Sequence, residues 1–224
     1  MRPNVWSAMT TTVLLALLLG GCATTRRIYY NAWEGMGYAK RERLVDNVKK
    51  ARQEQVEARQ QFASALEQFK SVVNFKGGNL EKVYNKLNDE YEASQKQAEQ
   101  VRDKIQSVKN VARALFDEWR GEIRQIRDDP SIRQQSQQLY DRTYRSYEEL
   151  IQRMDAAAAT MEPVLTEFKN RVLFLKHNLN AQAIASLKGT EIELGVDIEK
   201  LIRTMEASIA EADKFIAELQ PEKS

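Results

Sequence analysis

His177 is the only histidine among 224 residues, and it sits in Phe174-Leu175-Lys176-His177-Asn178-Leu179-Asn180. An imidazole titrates near neutrality, binds metals and shuttles protons. Two amides, Asn178 and Asn180, follow it closely. On a continuous helix His177 lines up with Leu173, Asn180, Ile184 and Leu187, flanked by Val172, Leu175 and Leu179. Such a segment is expected to be buried on several sides, where a polar trio must be hydrogen-bonded. His177, Asn178 and Asn180 are therefore read as a polar lock that fixes helix register, or as a ligand or proton-sensing site between helices.

Other chemistry finds little material. There is no P-loop, no dinucleotide-binding glycine fingerprint, no nucleophile elbow and no His-Glu-x-x-His zinc motif. Lys76-Gly77-Gly78-Asn79 and Lys188-Gly189-Thr190 lack the P-loop frame. Adjacent carboxylates such as Asp89-Glu90 and Glu148-Glu149 point to different sides of a helix. With one histidine and a lipidated cysteine, a zinc site or a catalytic triad has little material, and nothing singles out an acidic pair from different helices. The expectation is a protein that is not an enzyme, with no metal and no cofactor.

The single cysteine, Cys22, has a telling position. Arg2 precedes an apolar run, residues 13–19, which ends in Gly20-Gly21-Cys22. This is the charged start, apolar core and small-residue end of a secretion signal. The run is well short of the roughly 20 residues that a spanning helix needs. Leu19-Gly20-Gly21-Cys22 resembles the bacterial lipobox, in which the cysteine is acylated and becomes the mature first residue. Ala23, rather than Asp, follows it. In a Gram-negative cell that pattern resembles lipoproteins sent to the outer membrane, facing the periplasm. The expected organisation is a signal peptide over residues 1–21, a lipidated tether over 22–32, one helical domain over 33–220 and a short tail. In the tether Arg26, Arg27, Tyr29, Tyr30 and Trp33 are candidate membrane-proximal contacts, with arginines on phosphates and rings in the headgroup layer. The alternative is that Tyr30, Trp33 and Tyr38 fold back to close the end of the bundle.

The elements that must position these residues are helices. Apolar residues make up 42%, charged residues 29%, and there are only 9 Gly and 4 Pro. A seam spaced alternately four and three runs through Leu44, Val48, Ala51, Gln55, Ala58, Phe62, Ala65, Phe69 and Val72. Similar seams run from Leu80 to Ile126, from Tyr140 to Ser186, and from Leu194 to Leu219. A sustained repeat of 3.5 residues means helices packed along their length. The spacing predicts helices over 33–73, 80–127 and 131–187, and a fourth after Thr190 with Glu193 completing a capping box. Pro163 is expected to kink the third helix near Thr160. Breakers at Gly77-Gly78, Asp129-Pro130 and Gly189 make consecutive helices antiparallel. The fold is expected to be all-α, an elongated antiparallel coiled-coil bundle of about four long helices; the runner-up is an open coiled coil that dimerises to cover its seams. Arg113, Arg120, Arg124, Arg127 and Arg133 are read as a solvated, salt-bridged face among Glu118, Glu122, Asp128 and Asp129.

Charge is nearly balanced, 34 basic against 32 acidic residues, which argues against nucleic acid as a partner. The partners expected are the membrane, through acylated Cys22, and an envelope protein or a second copy.

The lipobox, the block Tyr29-Tyr30…Trp33-Glu34…Gly37-Tyr38…Lys40-Arg41, Leu115-Phe116…Glu118-Trp119, and Phe174 through Ala181 resemble a bacterial lipoprotein family, domain of unknown function family 2959. The resemblance covers nearly all of the mature chain, and Leu175–Ala181 is its most specific part. It implies a helical envelope lipoprotein and supplies no catalytic residues. Some members carry a label suggesting a DNA-repair ATPase; this chain lacks a P-loop, and an exported protein has no access to DNA. Three functional classes are weighed: a structural or interaction protein of the envelope, a binding module around His177 for a small ligand, lipid or metal, and an envelope enzyme, for which no motif speaks.

Overall fold

The computed structural model of the chain describes residues 21–75, 77–178 and 180–219, with only the backbone described for residues 21–39, 181 and 190. The expected signal segment falls, apart from Gly21, outside the described residues. Four helices are described: α1 (Gly21–Val73), α2 (Leu80–Gln125), α3 (Pro130–His177) and α4 (Ala181–Leu219). No strand occurs among the described residues. The chain divides into two compact units, Met1–Glu42 and Arg43–Ser224, and the second is the helical bundle.

The heptad seams make the bundle. Every seam position of α1 from Leu44 to Val72 is fully buried, Gln55 included. On α4 the same holds, within 1% exposure, for Leu194, Ile198, Leu201, Met205, Ser208, Ala212 and Phe215. Polar bridges give the order and direction of the helices. Gln61 and Gln97 of α1 and α2 donate to Glu90 and Glu54 at 2.6 and 3.0 Å. Arg52–Asp213 and Arg59–Glu206 join α1 to α4 at 2.6 and 3.3 Å. Arg102–Glu162 and Lys109–Asp155 join α2 to α3, and Lys214–Glu149 joins α4 to α3. In every repeated pair the number rises on one helix as it falls on the other, so neighbours are antiparallel. The helices form a closed ring in the order α1, α2, α3, α4. Inside it, Phe168 of α3 meets Phe69 of α1 and Tyr91 of α2 edge-on, at 6.4 and 5.9 Å. Surface pairs of this kind add only ~0–1 kcal/mol each, whereas each buried Leu, Phe or Met adds about 1.5–3 kcal/mol. The seams are therefore the main source of cohesion, and a single chain covers them without a second copy.

Two corners follow their expected chemistry. Gly77 and Gly78 take positive φ, 137° and 126°, and Asn79 caps α2 by accepting from the Lys82 N–H at 3.0 Å. Asp129 caps α3 through Oδ1, and Pro130 fills the first turn, where no N–H is needed. Pro163 lies inside an unbroken α3. The carbonyl that its ring leaves without a donor belongs to Ala159, an exposed residue.

Two boundaries differ. The start of α1 lies at Gly21 rather than near Trp33; residues 22–34 contain neither Gly nor Pro to stop a helix. The break expected at Lys188-Gly189-Thr190 is not there, and the capping box with Glu193 does not form, because α4 runs through both. Ile184, Leu187, Glu191 and Leu194 keep the heptad phase across Gly189, and Ile184, Leu187 and Leu194 are buried. A mid-helix Gly costs about 1 kcal/mol, less than the burial that continuity secures. The corner lies instead at residues 178–180.

Candidate functional site

That corner redefines the polar trio. His177 is the last residue of α3 and is exposed, as are Asn178 and Asn180. Asn178 is the C-cap: its N–H donates to the Leu175 carbonyl at 3.1 Å and its side chain to the Phe174 carbonyl at 3.0 Å. Asn180 opens α4, its Oδ1 accepting from the Ala183 N–H at 2.9 Å. The expected burial on several sides does not occur: Leu173 and Phe174 are 42% and 40% exposed. The helix ends at this point, so among the described residues no further turn continues that face. Asn178 and Asn180 thus serve as caps between α3 and α4. The side chains of Cys22, Arg26, Arg27, Tyr29, Tyr30 and Trp33 lie outside the described part of the structure.

The richest grouping of functional side chains lies elsewhere, where α2 and α3 approach the Asp129 turn. Heptad positions that elsewhere hold Leu or Val hold rings here. Phe116, 2% exposed, is the centre. Trp119 stacks beside it at 6.4 Å, Tyr140 and Tyr144 present edges at 5.7 and 5.0 Å, and Tyr147 lies at 5.3 Å. Tyr140 and Tyr144 stack on one another at 5.8 Å. Arg120 donates to the Tyr140 hydroxyl at 2.8 Å. That contact ties one arginine of the series to a phenol across the α2–α3 interface.

Beside the rings a cavity of 240 Å³ opens between α2 and α3, lined by Lys109, Arg113, Phe116, Asp117, Arg120, Tyr144, Tyr147 and Ile151. Burial pushes the Tyr147 phenol up, the neighbouring Tyr144 adds to this, and Arg113 opposes it. The phenol is therefore a protonated donor at neutral pH. Further along the same helix pair, a groove of 430 Å³ has Ile105, Ala158 and Ala159 in its lining, between the Arg102–Glu162 and Lys109–Asp155 bridges. Cations, phenols and aromatic faces hold anions and apolar surfaces. No group of three His, Cys, Asp or Glu suited to a metal occurs among the described residues, and none of their helices is long and apolar enough to cross a membrane.

Sequence reasoning placed Trp119, Tyr140, Tyr144 and Tyr147 on the seams without seeing that they converge. The signal was present: three tyrosines at successive seam positions of α3, and Arg113 and Arg120 seven residues apart on one face of α2.

Fold and site together define an all-α protein, an antiparallel helical bundle without a recognisable reaction centre among its described residues. A family model described as "Protein of unknown function (DUF2959)" matches residues 29–219, and the chain belongs to that family. No curated protein and no solved structure matches the chain.

Proposed function

We propose that this protein is a lipid-anchored component of the bacterial envelope whose role is structural, a scaffold or adaptor and not an enzyme. The observation that carries the reading is the pairing of a lipobox-like stretch, Leu19–Cys22, with a bundle whose seams close on themselves. Such a bundle spends its apolar residues on rigidity and leaves long polar faces outside. At 1.5 Å per residue, α2 and α3, with 46 and 48 residues, each extend about 70 Å. Long antiparallel helices of this kind suit spacing or bridging. In a Gram-negative cell, Ala23 after Cys22 favours the outer membrane, with the bundle facing the periplasm. The expected partners are the membrane, through the acyl chains, and an envelope protein or a second copy. Cys22→Ser is expected to move the protein from the membrane to the soluble fraction; retention in the membrane would contradict the anchor. Crosslinking in whole envelopes is expected to capture a protein or cell-wall partner, and capture of neither would count against the scaffold role.

A further inference from the structure

We propose that the cleft between Arg113 and Arg120 of α2 and Tyr144 and Tyr147 of α3 binds the phosphate of an anionic phospholipid headgroup, docking this end of the bundle on a bilayer. The inference rests on the membrane-anchored reading above and adds a second, non-covalent contact to it. Arg113 and Arg120 are seven residues apart, so both guanidinium groups lie on one face of α2 and both line the cavity. Among the described residues Asp117 forms no ion pair with either arginine; Arg113 is open to a ligand, while Arg120 spends one Nη on the Tyr140 hydroxyl at 2.8 Å and keeps its other N–H donors. Lys109, by contrast, is committed to Asp155 at 2.7 Å. Tyr147 adds a protonated phenol to the lining, and Phe116 an apolar wall.

Size selects the ligand. At 240 Å³ the cavity falls below the roughly 300–1,000 Å³ of pockets that enclose whole small molecules. It matches a phosphate with a short substituent, the rest of the ligand staying outside. Trp119, half-buried next to Phe116, is an amphipathic ring of the kind that settles at a bilayer interface. Within the bundle α1 is antiparallel to α2, so the Arg43 end of α1 lies towards the α2–α3 turn and not towards the Gly77-Gly78 turn.

The test uses the full chain carrying Cys22→Ser and measures its affinity for phosphatidylglycerol-containing vesicles relative to phosphatidylcholine vesicles. The ratio cancels the contribution of apolar residues near the N-terminus. A basic residue near an anionic surface contributes about 1 kcal/mol, or roughly fivefold. Arg113→Gln is expected to lower the ratio roughly fivefold, and Arg113→Gln with Arg120→Gln roughly 25-fold. Lys86→Gln with Lys96→Gln removes the same charge elsewhere on α2 and is expected to leave the ratio within about twofold. An equal loss in that control would reduce the binding to diffuse charge and overturn the site. Displacement from vesicles by glycerol 3-phosphate would show a site for soluble phosphate esters and overturn the bilayer assignment. Because Cys22 is already absent, failure here leaves the anchor to be judged by its own experiment.

Discussion

The Ser208 hydroxyl donates to Oε1 of Gln55 at 3.0 Å across the α1–α4 interface, and both side chains are fully buried. The Gln55 Nε2 has no hydrogen-bond partner among the described residues. A buried polar atom without a partner costs about 1–3 kcal/mol. Ser208→Ala orphans the oxygen as well and is expected to lower unfolding stability by about 1–2 kcal/mol. Gln55→Leu combined with Ser208→Ala removes every polar atom of the pair and is expected to be at least as stable as the wild type. Urea unfolding distinguishes the two; a double variant as weak as the single would mean that Gln55 is better satisfied than its surroundings show.

Gly189 has ordinary helical φ and open space where a Cβ would stand. Gly189→Ala is expected to raise stability by about 0.5–1 kcal/mol. A turn at this position would have made the same substitution destabilising. Asn180→Ala removes the cap of α4 and is expected to cost about 1 kcal/mol, while Glu193→Ala, in mid-helix, is expected to leave the melting temperature nearly unchanged. A larger loss at Glu193 than at Asn180 would restore the boundary at Thr190.

Phe116 touches four other rings and is almost wholly buried. Phe116→Ala is expected to cost about 3–5 kcal/mol in thermal or denaturant unfolding. Arg113→Gln, on the exposed rim of the same cavity, is expected to change stability by less than about 0.5 kcal/mol. The contrast separates the wall of the cleft from its ligand-facing charge.

Burial raises the phenols of Tyr147 and Tyr91 above 10. The unfolded chain therefore loses these protons first as pH rises, and the native state binds more of them. Their contribution is complete below pH 10 and is lost as pH climbs through the folded values. Melting temperature is expected to fall above about pH 10, and Tyr147→Phe is expected to blunt that fall. An unchanged alkaline limb in Tyr147→Phe would assign the effect to other groups.

The heptads carried most of the fold. Period, phase and caps are local and repetitive, so the α1 seam, Gln55 included, and the Asn79 and Asp129 caps could be read residue by residue. The third corner was misplaced because two signals competed, a Gly-Thr pair at 189–190 and an Asn pair at 178 and 180. Side-chain capping decided for the asparagines, and seam continuity overrode the glycine. The candidate cleft was harder to see. It joins Arg113 and Arg120 to Tyr144 and Tyr147 across two helices, and only the register of the antiparallel pair brings them together. Periodicity gives each helix its faces but does not say which residues stand opposite.

The lipid anchor is the centre of the functional account, and the mass of the mature N-terminal peptide tests it most directly. Protein purified from bacterial membranes is expected to begin at Cys22 and to carry the added mass of a diacylglyceryl thioether. A peptide that retains Met1, or one that begins at Cys22 with a free thiol, would contradict it.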